Sequence, residues 1–329
     1  MKYEPLSLSD SRVALIVALV ALAVLANTLL FVGSFPGVRV TAAATATLPM
    51  QRDVYRPVVP GEVLAEVTAA NVYMSSEGSS PLPLMKYHAD EAVPLASLTK
   101  IMTALTVLTY GPVWDESVTI TAEDRRPGAR QRLYPGDTVT VADLWKLLLI
   151  ASDNDAAAAL ARHMAGSEQA FVDVMHTLAK SWSLPAVTFA DASGLSDGNR
   201  ASARDFAVIA RKAFVEERIV TAASVTDSTV LIGSKAERIF NTDQILQDKA
   251  ETSTYGWTLI AGKTGHTEEA GYNIALLATN IAGEEVLMVL LGGRTAADRA
   301  QDVLRLVPWA LSTTAALPTG ERYDERLLY

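Results

Sequence analysis

Hydrophobic positions in the middle of the chain recur with the spacing of an α-helix. In this region the apolar residues return every three or four positions, with polar residues between them. The pattern predicts helices at Leu98–Leu108, Val141–Ser152, Asp155–Ala165, Ser167–Trp182 and Ser202–Phe214. Ser167 and Ser202 are expected N-caps, because a serine hydroxyl accepts a hydrogen bond from an otherwise unpaired backbone N–H.

Shorter apolar runs flank this helical region on both sides. Before it, Ala69–Ser76 and Leu82–His88 predict two strands joined by the turn sequence EGSSP. After it, strands are predicted at Trp257–Gly265, Gly271–Asn280 and Glu284–Gly293, followed by a helix from Ala296 to Leu311. Because strands lie at both ends and helices between them, we expect an α/β fold. One sheet would be assembled from both ends of the chain and would carry a helical lobe.

The N-terminal region has a different pattern, an apolar stretch without any charge. Val13–Val32 is about 20 residues long, and at about 1.5 Å per residue it matches the thickness of a bilayer core. Lys2 and Arg12 precede it, so the positive-inside tendency places the N-terminus in the cytoplasm and the remaining chain outside. We expect a single-pass anchor in the lipid bilayer. The alternative is a cleaved signal peptide with its cleavage site in TAAATA, residues 41–46.

These patterns divide the chain into four segments. Residues 1–35 are predicted to form a cytoplasmic tip and the anchor, and residues 36–60, which have several prolines and no helical period, a linker. The folded domain is expected at residues 61–314, with a short tail at residues 315–329. A chain of 329 residues, of which 50% are hydrophobic, can supply one large core.

Composition argues against several function classes. The net charge of −9 argues against nucleic acid as a partner. The chain has no cysteine, which excludes disulfides and cysteine-bound metals. Its 4 histidines do not have the spacing of metal ligands, so a metal site is not expected.

Three short motifs are candidates for chemistry, and the first is LASLTK, residues 95–100. Ser97 and Lys100 stand three positions apart where a helix is predicted to begin, so their side chains share a face. A serine becomes a nucleophile when a base takes its proton, and a lysine is such a base if burial lowers its pKa. For this motif alone, a capping serine and a solvated lysine are the more common explanation, because S-x-x-K often occurs by chance.

The second and third motifs are SDN at residues 152–154 and KTG at residues 263–265. SDN stands between two predicted helices and KTG at the end of a predicted strand. Each alone is compatible with an ordinary loop or turn. S-x-x-K, S-D-N and K-T-G in this order and in these contexts form the motif set of penicillin-binding proteins and class A β-lactamases.

With these motifs the chain resembles low-molecular-mass penicillin-binding proteins that are D-alanyl-D-alanine carboxypeptidases of serine peptidase family S11. The likeness covers about residues 61–311 and extends to stretches such as GKTGHTEEAGYNIALLAT and DASGLSDGNRASARDFAVIAR. It implies the penicillin-binding protein/β-lactamase transpeptidase-like fold, an antiparallel sheet of about five strands flanked by helices. It also implies removal of the terminal D-alanine from peptidoglycan stem peptides through an acyl-enzyme, acylation by β-lactams, and no metal or organic cofactor.

The resemblance implies catalytic roles for four residues. Ser97 would attack the carbonyl between the two terminal D-alanines, and Lys100 would accept its proton. Ser152 would relay a proton to the departing D-alanine, and Lys263 would supply positive charge near the substrate carboxylate. Asn154 would help to position Lys100.

Substrate binding is implied for a second group. Asn154 would hydrogen-bond the substrate backbone, and Thr264 would donate to the terminal carboxylate. Gly265 would let its strand approach the substrate closely, because it has no side chain. The backbone N–H groups of Ser97 and His266 would form the oxyanion hole. We do not expect a direct chemical role for the His266 imidazole, because S-x-x-K already provides a base.

Two departures from the family pattern bear on the functional prediction. Some relatives have an arginine before the K-T-G strand that helps to bind the terminal carboxylate, and here Thr242 stands at that position. The glutamate that deacylates class A β-lactamases is missing from residues 184–199. The first departure loosens the prediction of strict carboxypeptidase specificity, and the second argues against a β-lactamase. A D,D-carboxypeptidase remains the main prediction, and a D,D-endopeptidase of crosslinks is the alternative. A β-lactamase and a catalytically silent penicillin-binding sensor are less favoured. The charged residues 123–132 are interpreted as a solvated loop.

Overall fold

The computed structural model describes residues 67–78, 81–128, 130–243, 245 and 256–316. The predicted anchor at Val13–Val32, the linker and nearly all of the predicted tail lie outside the described residues. Within the described part, none of the helices combines the length and the apolar character that are needed to cross a membrane.

The strands of the described residues form one large sheet and three small ones. They are β1 Asn71–Ser76, β2 Leu82–Tyr87, β3 Val93–Pro94, β4 Ser117–Thr119, β5 Thr138–Thr140, β6 Arg200–Ala201, β7 Asp227–Ile232, β8 Lys235–Phe240, β9 Trp257–Thr267, β10 Gly271–Asn280 and β11 Glu285–Gly293. The large sheet is 5-stranded and antiparallel, in the order β2-β1-β11-β10-β9. The other strands pair two by two, β3 with β6, β4 with β5 and β7 with β8.

The pairing of β1 with β11 joins the two ends of the folded chain. Asn71 lies opposite Leu291, and Ser76 lies opposite Val286. The prediction of one antiparallel sheet assembled from both ends is confirmed. At one edge of this sheet lies β9, the strand that contains the K-T-G residues 263–265.

The helices lie mainly between the first and last strands of the sheet, as predicted. They are α1 Thr99–Thr109, α2 Val141–Leu149, α3 Asn154–Ala165, α4 Glu168–Ser181, α5 Ala203–Ala213, α6 Glu217–Ala223 and α7 Ala296–Ala315. Both expected N-caps are confirmed. The Ser167 hydroxyl accepts a hydrogen bond from the Ala170 N–H, and the Ser202 hydroxyl accepts one from the Asp205 N–H.

The sequence prediction differs from the structure at the end of one helix, and it did not include the short strands β3, β4, β5 and β6. The helix predicted at Val141–Ser152 ends at Leu149, and Ser152 has a left-handed backbone with φ of 55°, which an α-helix does not accommodate. Helix α6 and the hairpin of β7 and β8 were not predicted. The helix has only 7 residues, and the hairpin buries few side chains, so neither produces a strong hydrophobic period.

The large sheet is buried on both faces. On one face Met74, Leu276 and Leu290 pack against α7, and on the other Tyr73 and Leu277 pack against the helical lobe. Successive side chains of a strand point to opposite faces, so both sets of alternate positions are apolar. Strands β10 and β11 therefore appear in the sequence as continuous hydrophobic runs.

Candidate active site

Ser97 lies in a tight turn that is held by backbone packing. It is the middle residue of the 3₁₀ turn Ala96–Leu98, and α1 begins directly afterwards, so the predicted helix start is preceded by this extra turn. Ala96 has φ of 49°, in the left-handed region that residues with a side chain rarely adopt. Gly194 packs against this turn, because a Cβ atom at Gly194 would lie only 1.9 Å from the Ala96 carbonyl oxygen.

Lys100 is fully buried, with 0% exposure, and its amine faces Ser97. Lys100 Nζ lies 2.9 Å from Ser97 Oγ, 2.7 Å from Asn154 Oδ1 and 2.7 Å from the carbonyl oxygen of Ser193. Burial lowers the pKa of Lys100 to about 7, against the opposing charges of Asp153 and Asp191. A neutral amine donates two hydrogen bonds, to Asn154 and Ser193, and keeps its lone pair for the Ser97 hydroxyl. The alternative of a solvated lysine is thereby excluded.

The loop that supplies the Ser193 carbonyl is organised by Asp191. One Asp191 carboxylate oxygen accepts hydrogen bonds from the Ser193 and Gly194 N–H groups, and the other accepts from the Ser196 N–H. These bonds lower the pKa of Asp191 although its burial acts to raise it. The carboxylate therefore remains charged and fixes the loop beneath Lys100. This loop lies in a stretch that resembles the family, but no role was predicted for its residues.

A second serine–lysine pair lies on the opposite wall. Lys263 Nζ lies 2.8 Å from Ser152 Oγ and 2.8 Å from the Thr264 carbonyl oxygen. Lys263 is 2% exposed, and its burial, together with the charge of Lys100, lowers its pKa well below the ordinary value. Ser152 lies in the short connection between α2 and α3, where its left-handed backbone changes the direction of the chain. The next residue, Asp153, caps α3 by accepting from the Ala156 N–H.

Gly265 has a packing role in addition to the predicted one. A Cβ atom there would lie 3.0 Å from three backbone atoms of the turn, Leu95 O, Ser97 N and Leu98 N. The glycine therefore allows β9 to approach the turn that contains Ser97, and its close approach to the substrate stays a prediction. The ring of His266 stacks on Tyr272, its cross-strand partner, with the ring centroids 3.9 Å apart.

These residues meet at one cleft with a volume of about 790 Å³. Of the predicted site residues, Ser97, Ser152, Asn154, Thr264, Gly265 and His266 line it. Lys100 and Lys263 lie behind this surface and contact it through the two serines. Within the described residues, no group of histidine, aspartate and glutamate side chains is arranged to hold a metal ion.

Two further cleft residues were not assigned a binding role by the sequence analysis. Arg299 of α7 lines the cleft although it is largely buried, and burial lowers its pKa. Its helical spacing from Val303 and Leu306, which are both core residues, is a signal that would have identified it as an inward-facing charge. Thr242 also lines the cleft, with its hydroxyl 2.9 Å from that of Thr264.

The interpretation of residues 123–132 as a solvated loop is wrong, because their arginines pair with carboxylates. Arg125 lies 3.3 Å from Asp155, and Arg126 pairs with Glu168. Arg132 is within 3.4 Å of Asp153, the central residue of S-D-N. The loop therefore belongs to the wall of the cleft, which Arg130 and Arg132 also line.

A serine in a strained turn beside a buried lysine, with a second serine–lysine pair facing it, is an arrangement that can carry out serine acyl transfer with a lysine as the base. Comparison with known proteins identifies the family to which the chain belongs. The sequence model of peptidase family S11, described as D-alanyl-D-alanine carboxypeptidase, matches residues 62–295. The chain therefore belongs to this family of serine peptidases, and the predicted family is confirmed.

Individual relatives agree with this assignment. The D-alanyl-D-alanine carboxypeptidase DacC of Escherichia coli (strain K12) is 31% identical over 73% of this chain and 60% of its own length. A D-alanyl-D-alanine endopeptidase of Haemophilus influenzae is 28% identical over 59% of this chain and 65% of its own. The match thus spans less than two thirds of either relative. Among solved structures, the Streptomyces K15 DD-transpeptidase is similar with a TM-score of 0.67 and 26% identity, covering 75% of this chain and 98% of that one. The predicted fold class is confirmed.

Proposed function

We propose that this chain is a serine-type D-Ala-D-Ala carboxypeptidase. It would remove the terminal D-alanine from peptidoglycan stem peptides through an acyl-enzyme on Ser97, which β-lactams also acylate. The observation that carries the proposal is the contact of 2.9 Å between Ser97 Oγ and a buried lysine whose pKa is about 7. At neutral pH a large share of Lys100 is then uncharged and able to take a proton.

The first half of the reaction forms the ester. Lys100 takes the Ser97 hydroxyl proton as Oγ attacks the carbonyl carbon between the two D-alanines, and the carbonyl oxygen becomes an oxyanion. The backbone N–H groups of Ser97 and His266 stabilise that oxyanion, because β9 packs directly on the Ser97 turn. When the C–N bond breaks, Ser152 gives its proton to the leaving amine and recovers the proton that Lys100 took from Ser97, so Lys100 is neutral again before the second half begins. Lys263, whose Nζ lies 2.8 Å from Ser152 Oγ, holds that serine in place.

The second half releases the peptide. The D-alanine leaves, and a water molecule takes its place next to the ester. Lys100 removes a proton from that water, the hydroxide adds to the ester carbonyl, and Ser97 Oγ leaves with a proton returned from Lys100. No cofactor takes part in either half.

The terminal carboxylate of the substrate binds at the cationic side of the cleft. Thr264 donates a hydrogen bond to it, and Asn154 hydrogen-bonds the substrate backbone. Lys263 and Arg299 supply positive charge, and the pKa values of both are lowered by burial. An incoming carboxylate raises the pKa of Lys263 again, because an opposite charge at short range favours the ammonium form. Arg299 thereby takes the role that some relatives give to an arginine at the position of Thr242.

The proposal is tested by D-alanine release from a stem pentapeptide. We expect release by the wild type and none by Ser97→Ala, and a penicillin adduct that mass spectrometry places on Ser97. Cleavage of crosslinked dimers in preference to pentapeptides would instead indicate the endopeptidase, a name that several similar proteins have. Rapid turnover of penicillin would indicate a β-lactamase, and acylation without hydrolysis of any peptide would indicate a sensor.

We also propose an extracytoplasmic location, with Val13–Val32 as a single-pass membrane anchor. The support is the sequence alone, an uncharged apolar stretch of about 20 residues that follows Lys2 and Arg12. The full chain should stay in the membrane fraction after a high-salt wash, and a chain that starts near Gly61 should be soluble and active. Mature protein that begins soon after Ala46 would show a cleaved signal peptide instead.

A further inference from the structure

The leaving-group end of the cleft is marked by Ser152 and Thr242. In the proposed reaction Ser152 protonates the departing amine, so that amine must lie beside it. Thr264 binds the terminal carboxylate of the same leaving group, and its hydroxyl contacts that of Thr242. The leaving group, which is attached to the scissile nitrogen, must therefore fit between Ser152, Thr242 and Thr264 or extend past them.

Two elements border this end. One is the loop that contains Arg130 and Arg132, and Arg132 Nη1 lies 3.4 Å from Asp153, the neighbour of Ser152. The other is β8, which ends at Phe240, two residues before Thr242. The turn of the β7–β8 hairpin is attached to β5, because the Gly233 N–H donates a hydrogen bond to the Thr138 carbonyl oxygen at 2.7 Å.

Glu237 connects the two elements. Its Oε1 atom lies 3.5 Å from Arg132 Nε and 3.7 Å from Arg130 Nη2. The side chains of Glu237 and Arg132 are only 14% and 11% exposed, so solvent screens this contact less than an ordinary surface ion pair. Arg130 is 73% exposed and forms the outer part of the bridge.

We propose that the bridge from Glu237 to Arg130 and Arg132 closes the leaving-group end of the cleft and makes the enzyme select a single D-alanine as the leaving group. The inference rests on the proposed function and concerns its specificity. In a crosslinked dimer the scissile nitrogen carries a second stem peptide, which must extend past Thr242 and meets the bridge. A free D-alanine ends at its carboxylate and does not reach it.

The test compares two substrates that share the same acyl group. One is a stem pentapeptide, which releases D-alanine, and the other is a crosslinked stem-peptide dimer, which releases a whole stem peptide. The variants are Glu237→Gln, which keeps the shape and removes the charge, and Glu237→Ala, which also opens space. Arg238→Gln is the matched control, because it breaks an exposed pair with Asp227 in the same hairpin, at 2.8 Å.

We expect the wild type to cleave the dimer much more slowly than the pentapeptide. Glu237→Ala should raise the ratio of dimer to pentapeptide cleavage by about tenfold, and Glu237→Gln by about threefold, since each step loosens the wall without touching the reacting groups. Arg238→Gln should leave the ratio unchanged. Acylation by a fluorescent penicillin should remain at the wild-type rate in all three variants.

Two results would overturn the inference. One is a wild type that cleaves both substrates equally well. The other is a ratio in Glu237→Ala that equals that of the wild type and of Arg238→Gln. If the wild type releases no D-alanine from the pentapeptide although penicillin acylates Ser97, the proposed function itself fails, and the inference fails with it. A melting temperature for each variant separates a change of the cleft from a loss of fold.

Discussion

The nucleophile corner, Ser97 with Lys100, and the carboxylate corner, Ser152 with Lys263, each place a buried lysine within hydrogen-bond distance of a serine. The two N–O distances are nearly equal, 2.9 Å and 2.8 Å. The surroundings differ in charge. Asp153 and Asp191 favour the charged form of Lys100, whereas Lys100 and Arg299 disfavour the charged form of Lys263.

The difference shows that the distance to a serine does not define a general base. Lys100 is enclosed by oxygen acceptors of the protein, and its pKa is about 7. Lys263 has nearby cations, and Asp243 is the carboxylate that opposes them. A substrate carboxylate changes this balance at Lys263 more than at Lys100. We therefore expect Lys100 to be able to accept a proton before substrate arrives, and a substrate carboxylate to raise the pKa of Lys263 towards its ordinary value.

Replacing each lysine by arginine should give the largest difference in acylation rate between the two corners. Arginine keeps the charge and does not release its proton, so Lys100→Arg should lower the acylation rate by about 10²- to 10⁴-fold. Lys263→Arg keeps the cation for the carboxylate and should lose about tenfold or less. The measurement is the rate of labelling by a fluorescent penicillin, with circular dichroism as the control for folding. Equal losses of acylation rate in both variants would contradict the assignment of Lys100 as the base and Lys263 as the cation for the carboxylate.

A glycine couples the two corners, and filling it should affect both. Gly265→Ala places a methyl group 3.0 Å from three backbone atoms of the Ser97 turn, so the turn must shift. We expect stability to fall by about 1–3 kcal/mol and kcat/KM to fall by about tenfold or more.

Gly283→Ala is the control for Gly265→Ala. Gly283 has φ of 85° and open space around its Cβ position, so alanine there is strained but does not touch the site. It should lower the melting temperature and leave kcat/KM unchanged. Full activity in Gly265→Ala would contradict the coupling.

The pH dependence of acylation tests the role of Lys100 in the nucleophile corner. Lys100 must be neutral to act, so the acylation rate should rise with pH through an inflection near pH 7, where its pKa lies. Asp191→Asn removes a nearby negative charge that favours the ammonium form. This lowers the pKa and should move the inflection to lower pH by roughly one unit or less. An inflection that stays in place in the variant would assign it to another group.

The smallest effect is expected at the carboxylate corner. Thr242→Val removes the hydroxyl that contacts Thr264 and keeps the shape of the side chain. KM for the pentapeptide should rise about threefold while kcat stays the same, in line with the loss of one hydrogen bond. Thr279→Val, at the far end of β10, should change neither constant. An unchanged KM in Thr242→Val would show that Thr264 needs no support.

The sequence was sufficient to predict the sheet, most helices and the three motifs. The sheet was predictable because both of its faces are buried, which produces long apolar runs such as Ile274–Ala278. The serines and lysines were predictable because the chemistry requires them at short, fixed spacings. These signals are local in the chain.

The parts that the sequence did not reveal depend on contacts between distant segments. Arg299 becomes a cleft residue only when α7 packs on the sheet, and Asp191 acts through a loop beneath Lys100. Glu237 contacts Arg132, which is 105 positions away in the chain, from a hairpin that has little hydrophobic period of its own. Gly265 was identified, but its neighbour in space is the Ser97 turn, which no sequence pattern indicates.

The pairing of β1 with β11 has a consequence for how the enzyme acquires its activity during synthesis. Strand β1 begins the sheet, but its partner β11 lies near the end of the domain. The sheet therefore depends on contacts between residues that are far apart in the chain, and folds with many such contacts form slowly. A nascent chain that has passed Ser97 and Lys100 still lacks β9, β10 and β11. We expect no acylation by penicillin in any truncated chain that ends before β11, and full reactivity only after that strand has closed the sheet.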